Sequence, residues 1–373
     1  MVRLQDYRPR SQLVVPQTPL TRPRFPVVDA HNHLAAPFGG GWDRKPLAAL
    51  LERLDAAGVR HYVDLDGGWG EALLQTHLER FKARAPERFS VFTGVAWEYW
   101  PELGARFPDW AARRLRQHHT WGADGLKIWK SFGLQVRDEQ GRLVPVDDPR
   151  LQVLWETAAE LHMPVLIHVA DPVAFFEPID ATNERWEELQ AHPDWAFPSP
   201  PYPSFHSILQ AFARLVQRHP HTIFIGAHVG NYAEHLAWVA RLLDACPNFY
   251  IDISARLNEL GRQPYTARRF FLRYANRILF GLDAGPDVAA YRLYYRFLET
   301  DDEYFPYSPE EPPPQGRWRI YGIYLPADVL RRVYMENALR VLLSRRPEAQ
   351  AWVRKPLARI RDNAAPDAQG ALP

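Results

Sequence analysis

PVVDAHNHL, residues 26–34, opens on a β-branched pair and closes on polar groups. A run of this kind predicts a short buried strand whose far end turns ionisable. Side chains two apart on a strand share a face, so His31 and His33 are expected to project together. Two imidazoles side by side make half of a metal site.

The same unit recurs along the chain: a run rich in Val, Ile or Phe, a loop, then apolar residues at helical spacing. After the first strand come GVRHYVDLD from Gly58, FSVFTGVAW from Phe89, GADGLKIWK from Gly122 and MPVLIHVAD from Met163. TIFIGAHVG from Thr222, FYIDISA from Phe249 and ILFGLDAG from Ile278 complete the set. Helical periodicity marks residues 45–57, 151–161, 205–216, 233–243 and 325–343. Strict β–α alternation implies a parallel sheet with helical crossovers, and this many repeats let it close as an α/β (β/α)8 TIM barrel. An open doubly wound sheet is the alternative, but no glycine-rich phosphate loop follows the first strand.

At about 150 residues per domain, 373 residues would suggest two or three domains. A barrel absorbs about 200 to more than 400 as one unit. We place it at residues 25–345, between an N-terminal arm at 1–24 and a C-terminal tail at 346–373 whose Ala, Pro and Arg content predicts fraying. Long insertions are expected after strand five (Pro172–Ser204) and strand eight (Pro286–Tyr324). Both follow C-terminal strand ends, the barrel face that carries active sites. Their many aromatics predict ordered lids.

Forty-five basic against forty-four acidic side chains leave a net charge of +1, so no global field favours nucleic acid or an anionic membrane. No apolar run approaches the length of a membrane span. The run from Leu13 to Val15 stops at Pro16, so no secretory leader is expected. The single cysteine, Cys246, rules out an internal disulfide framework and a cysteine metal cluster. It suits a reducing compartment, and a cytoplasmic protein with a small-molecule partner is expected. The arm and the aromatic surfaces point to a homodimer.

A barrel strand buried on both faces should be apolar throughout. Here strand four ends near Lys127, strand five near His168, strand six near His228, strand seven near Asp252 and strand eight near Asp283. One histidine on an apolar strand is more often a satisfied core residue than a ligand. Several converging on one mouth argue for a metal. Imidazole and carboxylate donors suit Zn, and Mn, Fe or Co are accepted by the same set. Lys127 reads from the sequence as an ammonium paired with Asp252 or another mouth carboxylate.

Around the mouth, Arg256 is a candidate grip for a substrate carboxylate, with an ion pair to Glu259 as the alternative. Trp97 and Arg185, in the stretches 97–100 and 183–186, are candidate parts of an aromatic substrate wall, with lid packing as the alternative. His118, His119 and the histidines at 219 and 221 lie near helix ends and are expected to be solvated.

Taken in order, DAHNHL, LIHVAD, GAHVG, FGLDAG and the closing YMENALRVL resemble the amidohydrolase superfamily. Specifically, they resemble the amidohydrolase-related proteins that include aminocarboxymuconate-semialdehyde decarboxylase. The resemblance covers about residues 26–344. It implies that His31, His33, His168 and Asp283 bind a metal and that His228 polarises the substrate or shuttles a proton. In binuclear members a strand-four lysine is carbamylated, which would make Lys127 a ligand and His228 another.

A bound divalent ion lowers the pKa of its water from 15.7 to about 7. With Asp283 as proton acceptor and His228 on a substrate carbonyl, the first expectation is a hydrolase of an amide, ester or lactone. The alternative is a metal-dependent non-oxidative decarboxylase of an aromatic or unsaturated acid. A silent binding barrel is the third reading. It is weakened because every expected ligand position is filled.

Overall fold

Eight parallel strands stand in sequence order in a computed structural model that describes residues 3, 6, 7 and 9–357. They are β1 (Val27–Asn32), β2 (Val59–Asp64), β3 (Phe89–Thr93), β4 (Gly125–Ile128), β5 (Val165–Ile167), β6 (Phe224–Gly226), β7 (Phe249–Asp252) and β8 (Ile278–Leu279). Each pairs with the next in parallel. The seam between β8 and β1 is drawn together by Ala30 N donating to Phe280 O (2.9 Å) and Asp283 N donating to His31 O (2.9 Å). The result is the expected (β/α)8 barrel.

The crossovers carry helices where the apolar spacing places them at α1 (Leu47–Ala57), α4 (Gln152–Glu160), α5 (Phe205–Arg218) and α6 (Leu236–Ala245), and also at α2 (Glu71–His77) and α3 (Phe107–Trp121), which that spacing did not mark. The second insertion starts with α7 (Val288–Glu299), a helix that the loop expectation missed. Its first turn is capped by the Asp287 carboxylate, which accepts from Ala290 N.

Val28, Ala30, Val63, Leu166, Ile225 and Leu279 form a core inside the sheet, while a second, larger core joins the sheet to its helices. Ala349 and Val353 belong to the inner core, because Pro347–Val353 forms a helix. The frayed tail expected from residue 346 is therefore corrected as far as residue 357. Proline at the first helical turn starts this helix. Trp352 anchors it, donating Nε1–H to Arg60 O (3.1 Å) beneath the Arg60 and Arg88 guanidiniums. The rest of the tail lies outside the described residues. Among the described residues no helix is long and apolar enough to cross a membrane.

Candidate metal centre

β1 does not alternate regularly. Val28 and Ala30 face the interior, whereas Asp29 and Asn32 turn outward to Tyr291 on α7. The register slips between Asp29 and Asn32. That irregularity swings His31 and His33 into the mouth together and leaves Asp29 behind them as a brace, accepting from Asn32 Nδ2 at 2.7 Å. Burial raises the Asp29 carboxyl to about 7 against the hydrogen bonds that lower it.

Each histidine is then oriented from behind. His31 Nδ1 lies 2.9 Å from Asp252 Oδ2, and His33 Nδ1 lies 2.7 Å from Asp66 Oδ1. His228 Nδ1 lies 3.0 Å from the Ser254 carbonyl. Carboxylates and carbonyls only accept here, so each Nδ1 carries a proton and each Nε2 faces inward as the atom left for a ligand. The three Nε2 atoms converge on Asp283. Its Oδ1 is 3.1 Å from His33 Nε2 and 3.8 Å from His31 Nε2, and its Oδ2 is 3.8 Å from His228 Nε2. Ligand atoms of His31, His228 and Asp283 all lie within 4.8 Å of one another.

His168 packs edge-on against His228, with ring centroids 4.4 Å apart. Its Nε2 is buried and makes no hydrogen bond, although Asp171 Oδ1 is 3.3 Å away. Burial holds the ring down at about 4. An orphaned buried imidazole nitrogen beside inward-facing lone pairs and a carboxylate is a donor set that fits a divalent ion. The pull for positive charge shows at His33. Burial lowers its pKa, but the carboxylates of Asp283 and Asp66 outweigh burial and raise it to about 9.

The backbone pays for this aim. His228, Val229, Ala255 and Asp283 all have φ between 51° and 60°, a left-handed region that costs a residue with a side chain about 1–3 kcal/mol. Strain of this kind gathers at functional sites, and here all four positions follow the ends of β6, β7 and β8.

Lys127 is buried, with Nζ 3.3 Å from His31 Nε2 and 4.6 Å from the centre of the Trp129 ring. Burial lowers it to about 8. The expected pair with Asp252 is not made. Asp252 Oδ2 is spent on His31, and its Oδ1 accepts from Ser254 Oγ (2.6 Å), Ser254 N (3.0 Å) and His228 N (3.1 Å).

The histidines open into a cavity of about 550 Å³. Arg256 lines it and is 7% exposed. The alternative pair with Glu259 does not form, because Glu259 binds Arg185 instead. Arg256 donates to Ala255 O (2.8 Å), and among the described residues it makes no ion pair. Arg185 also reaches the cavity, but Glu188 (2.8 Å) and Glu259 consume its charge, so it is a wall and not a free grip. Trp97 is not in this cavity. It stacks on Phe132 (4.6 Å, 4°) and lines a neighbouring one. His118, expected in solvent, is buried there between Thr93 Oγ1 (2.7 Å) and Glu71 Oε1 (3.1 Å). Its position on the inner face of α3 outweighs its place near the helix end.

Sequence reasoning missed Asp66, Ser254 and Asn231. Asp66 had a signal, a second acidic residue two positions after Asp64 at a strand end. Asn231 had none. It holds the segment after His168 by accepting from Val169 N at 2.9 Å.

A family model described as amidohydrolase matches residues 28–343. The chain belongs to the amidohydrolase family. Solved structures similar to this amidohydrolase-family chain include 2,6-dihydroxybenzoate decarboxylase complexed with 2,6-dihydroxybenzoate (16% identity, TM-score 0.55, 86% of this chain and 99% of that one). The same enzyme from Rhizobium scores 0.54 at 17% identity, with the same coverage. A dihydroxybenzoic acid decarboxylase from Polaromonas sp. JS666, with bound manganese and the inhibitor 2-nitroresorcinol, scores 0.51 at 17% identity over 82% of this chain and 88% of that one. At such identities the likeness is one of fold. No curated protein matches the chain.

Proposed function

We propose that this chain is a metal-dependent, non-oxidative decarboxylase of an aromatic carboxylic acid. The observation that carries the reading is Arg256, a nearly buried guanidinium without a carboxylate partner, facing the cavity into which the histidines open. A substrate carboxylate supplies the missing charge. Beside it, Trp129 stacks on His33 at 5.3 Å and 27°, and Phe38 lies 5.6 Å from the same ring. Flat walls of this kind suit a planar ring.

His31, His33, His168 and Asp283 would hold the ion. When bound, it supplies Lewis acidity toward substrate oxygens. His228 favours decarboxylation over hydrolysis. Its Nδ1–H is committed to Ser254 O, and burial first, then neighbouring positive groups, keep the ring neutral. Its Nε2 therefore accepts a proton from a substrate hydroxyl and has none to donate to a carbonyl. Asp283, with 22% of its side chain exposed, connects the cavity to solvent. It is placed to relay the proton that the ring carbon takes as CO2 departs. The likeness in fold to aromatic-acid decarboxylases, one with bound manganese, supports the same reading and sets Mn beside Zn, which the imidazole and carboxylate donors suit, as the ion.

The test is a panel of carboxyl-labelled hydroxybenzoates offered to manganese- and zinc-loaded protein. Labelled CO2 with the matching phenol is the expected result. Hydrolysis of an ester or lactone panel, with no CO2 from any acid under either metal, would refute the proposal and select the hydrolase.

A further inference from the structure

Beside the metal cavity lies a second one of about 410 Å³, at the same end of the barrel. The two share Trp69, Trp129 and Ser131. The divider is thus a pair of indoles, with centroids 4.2 Å apart, and one small side chain. Trp129 faces both ways, because its ring also stacks on His33.

The second cavity is aromatic and offers no unpaired cation. Trp97, Tyr99 and Trp110 join the two dividing indoles on its walls. Arg114 is paired with Glu71, which also accepts from His118, so no cation is left for a second acidic group. Glu98 on the rim would repel one. The floor is kept shallow by backbone: a Cβ on Gly68 would stand 2.8 Å from Trp129 Nε1, and one on Gly94 would stand 2.6 Å from Gly68 O. Trp129 Nε1 is shielded from solvent and has no hydrogen-bond partner.

A one-ring acid fills only part of the metal cavity and none of the second. We propose that the two cavities form one bipartite substrate site, so that the acid turned over carries, beyond its carboxylated ring, a second uncharged aryl ring seated between Trp97 and Trp110. This rests on the decarboxylase reading of the metal cavity. The link between the rings crosses at Ser131, the smallest of the three shared residues. Arg256 and the metal ligands select the carboxylated end, and the second cavity selects size and lack of charge at the other.

The experiment compares salicylate with its phenyl-substituted isomers on manganese-loaded protein. The best isomer is expected to exceed salicylate in kcat/KM by about 20-fold, the gain for six additional packed ring atoms. Ala96→Trp, which fills the second cavity, and Ser131→Phe, which closes the crossing, should each bring that ratio to about one in protein that keeps its circular dichroism. Trp110→Ala should lower it.

Calorimetric binding of hydroxybiphenyl against phenol, the decarboxylated counterparts, reads the same preference without turnover. A ratio at or below one for every isomer, or a ratio indifferent to Ala96→Trp, overturns the proposal. A preference that survives Ser131→Phe overturns the spanning of the two cavities. Absence of CO2 from all acids, with an Ala96-dependent preference for hydroxybiphenyl intact, overturns the decarboxylase reading and leaves the aryl site standing.

Discussion

Replacing Asp66 with asparagine is expected to weaken metal binding about 100-fold without touching a ligand. Asp66 has four donors to satisfy. Oδ1 takes His33 Nδ1 (2.7 Å) and Trp69 Nε1 (3.1 Å), and Oδ2 takes the backbone N–H groups of Leu34 and Ala35, each at 2.7 Å. Asparagine offers one oxygen and one amino group. If its oxygen faces His33, the amino group meets two buried backbone donors, at about 1–3 kcal/mol for each one left unpaired. The amide therefore turns the other way and gives its N–H to His33 Nδ1. The imidazole proton must then sit on Nε2, the atom that faces Asp283, and the inward lone pair is lost. Removing an outer partner of a ligating histidine typically costs 10–100-fold in metal affinity. A forced tautomer belongs at the upper end, about 2.8 kcal/mol. Competition against a chromophoric chelator, on variant and parent protein of matching circular dichroism, measures it. An affinity within threefold of the parent would refute the view that Asp66 sets the face His33 presents.

Three further outcomes are expected. Chelation should abolish activity, and His31→Ala or Asp283→Asn should do the same in the presence of added metal; full turnover by metal-free protein would exclude the metal centre. Arg256→Gln should raise KM for acids about 10- to 100-fold, since a hydrogen bond to a charged group contributes about 1.5–3 kcal/mol, while metal content stays at the parent level. His61, remote from the cavity, should make the fold acid-sensitive. It is fully buried between Glu87 O and Ser90 Oγ (2.9 Å each), and burial first, then nearby cations, push it from 6.5 down to about 3. The unfolded imidazole takes a proton below 6.5 while the folded one stays neutral, so its contribution is whole above that pH and is lost as pH falls toward 3. Between pH 7.5 and 5 the loss is about 2 kcal/mol. Urea unfolding at the two values should show a loss smaller in His61→Asn than in the parent by about that amount, the remainder coming from other buried imidazoles such as His168 and His118, and equal pH slopes in the two proteins would refute it.

The barrel was legible because its signals are local and repeated. Runs such as VLI at 165–167 and FIG at 224–226 are too short and too apolar for surface elements, and helical periodicity separates them at regular distance. Polar residues at strand ends were legible for the same reason, since a charge at the end of a buried strand needs a use. Partner choice was not legible. Arg185 and Arg256 look alike in sequence, yet Glu259 sits against one and leaves the other facing the cavity. Nothing local distinguishes them, because Glu259 lies three residues from Arg256 and seventy-four from Arg185. Trp97 was misplaced on the same ground: aromatic content predicts walls without saying which cavity they enclose.

The aim of the ligands lay furthest from reach. Strict alternation puts Asp29, His31 and His33 on one face, and only the slip in β1 separates the brace from the pair it supports. Likewise, the left-handed turn at His228 and Val229 opposes local preference, most of all for a β-branched valine. Such a turn persists only where surrounding contacts over-determine it. Here they do: Asp252 accepts from His228 N, Ser254 O accepts from its ring, and Asn231, itself left-handed, ties the turn to the segment after His168. The residues that hold the strained turn also orient His31 and His228 toward Asp283, while Asp66 does the same for His33. The site's precision is therefore a tertiary property, carried by residues that touch neither metal nor substrate. Variants at Asp66, Asp252 and Ser254 test the mechanism as directly as variants at the ligands themselves.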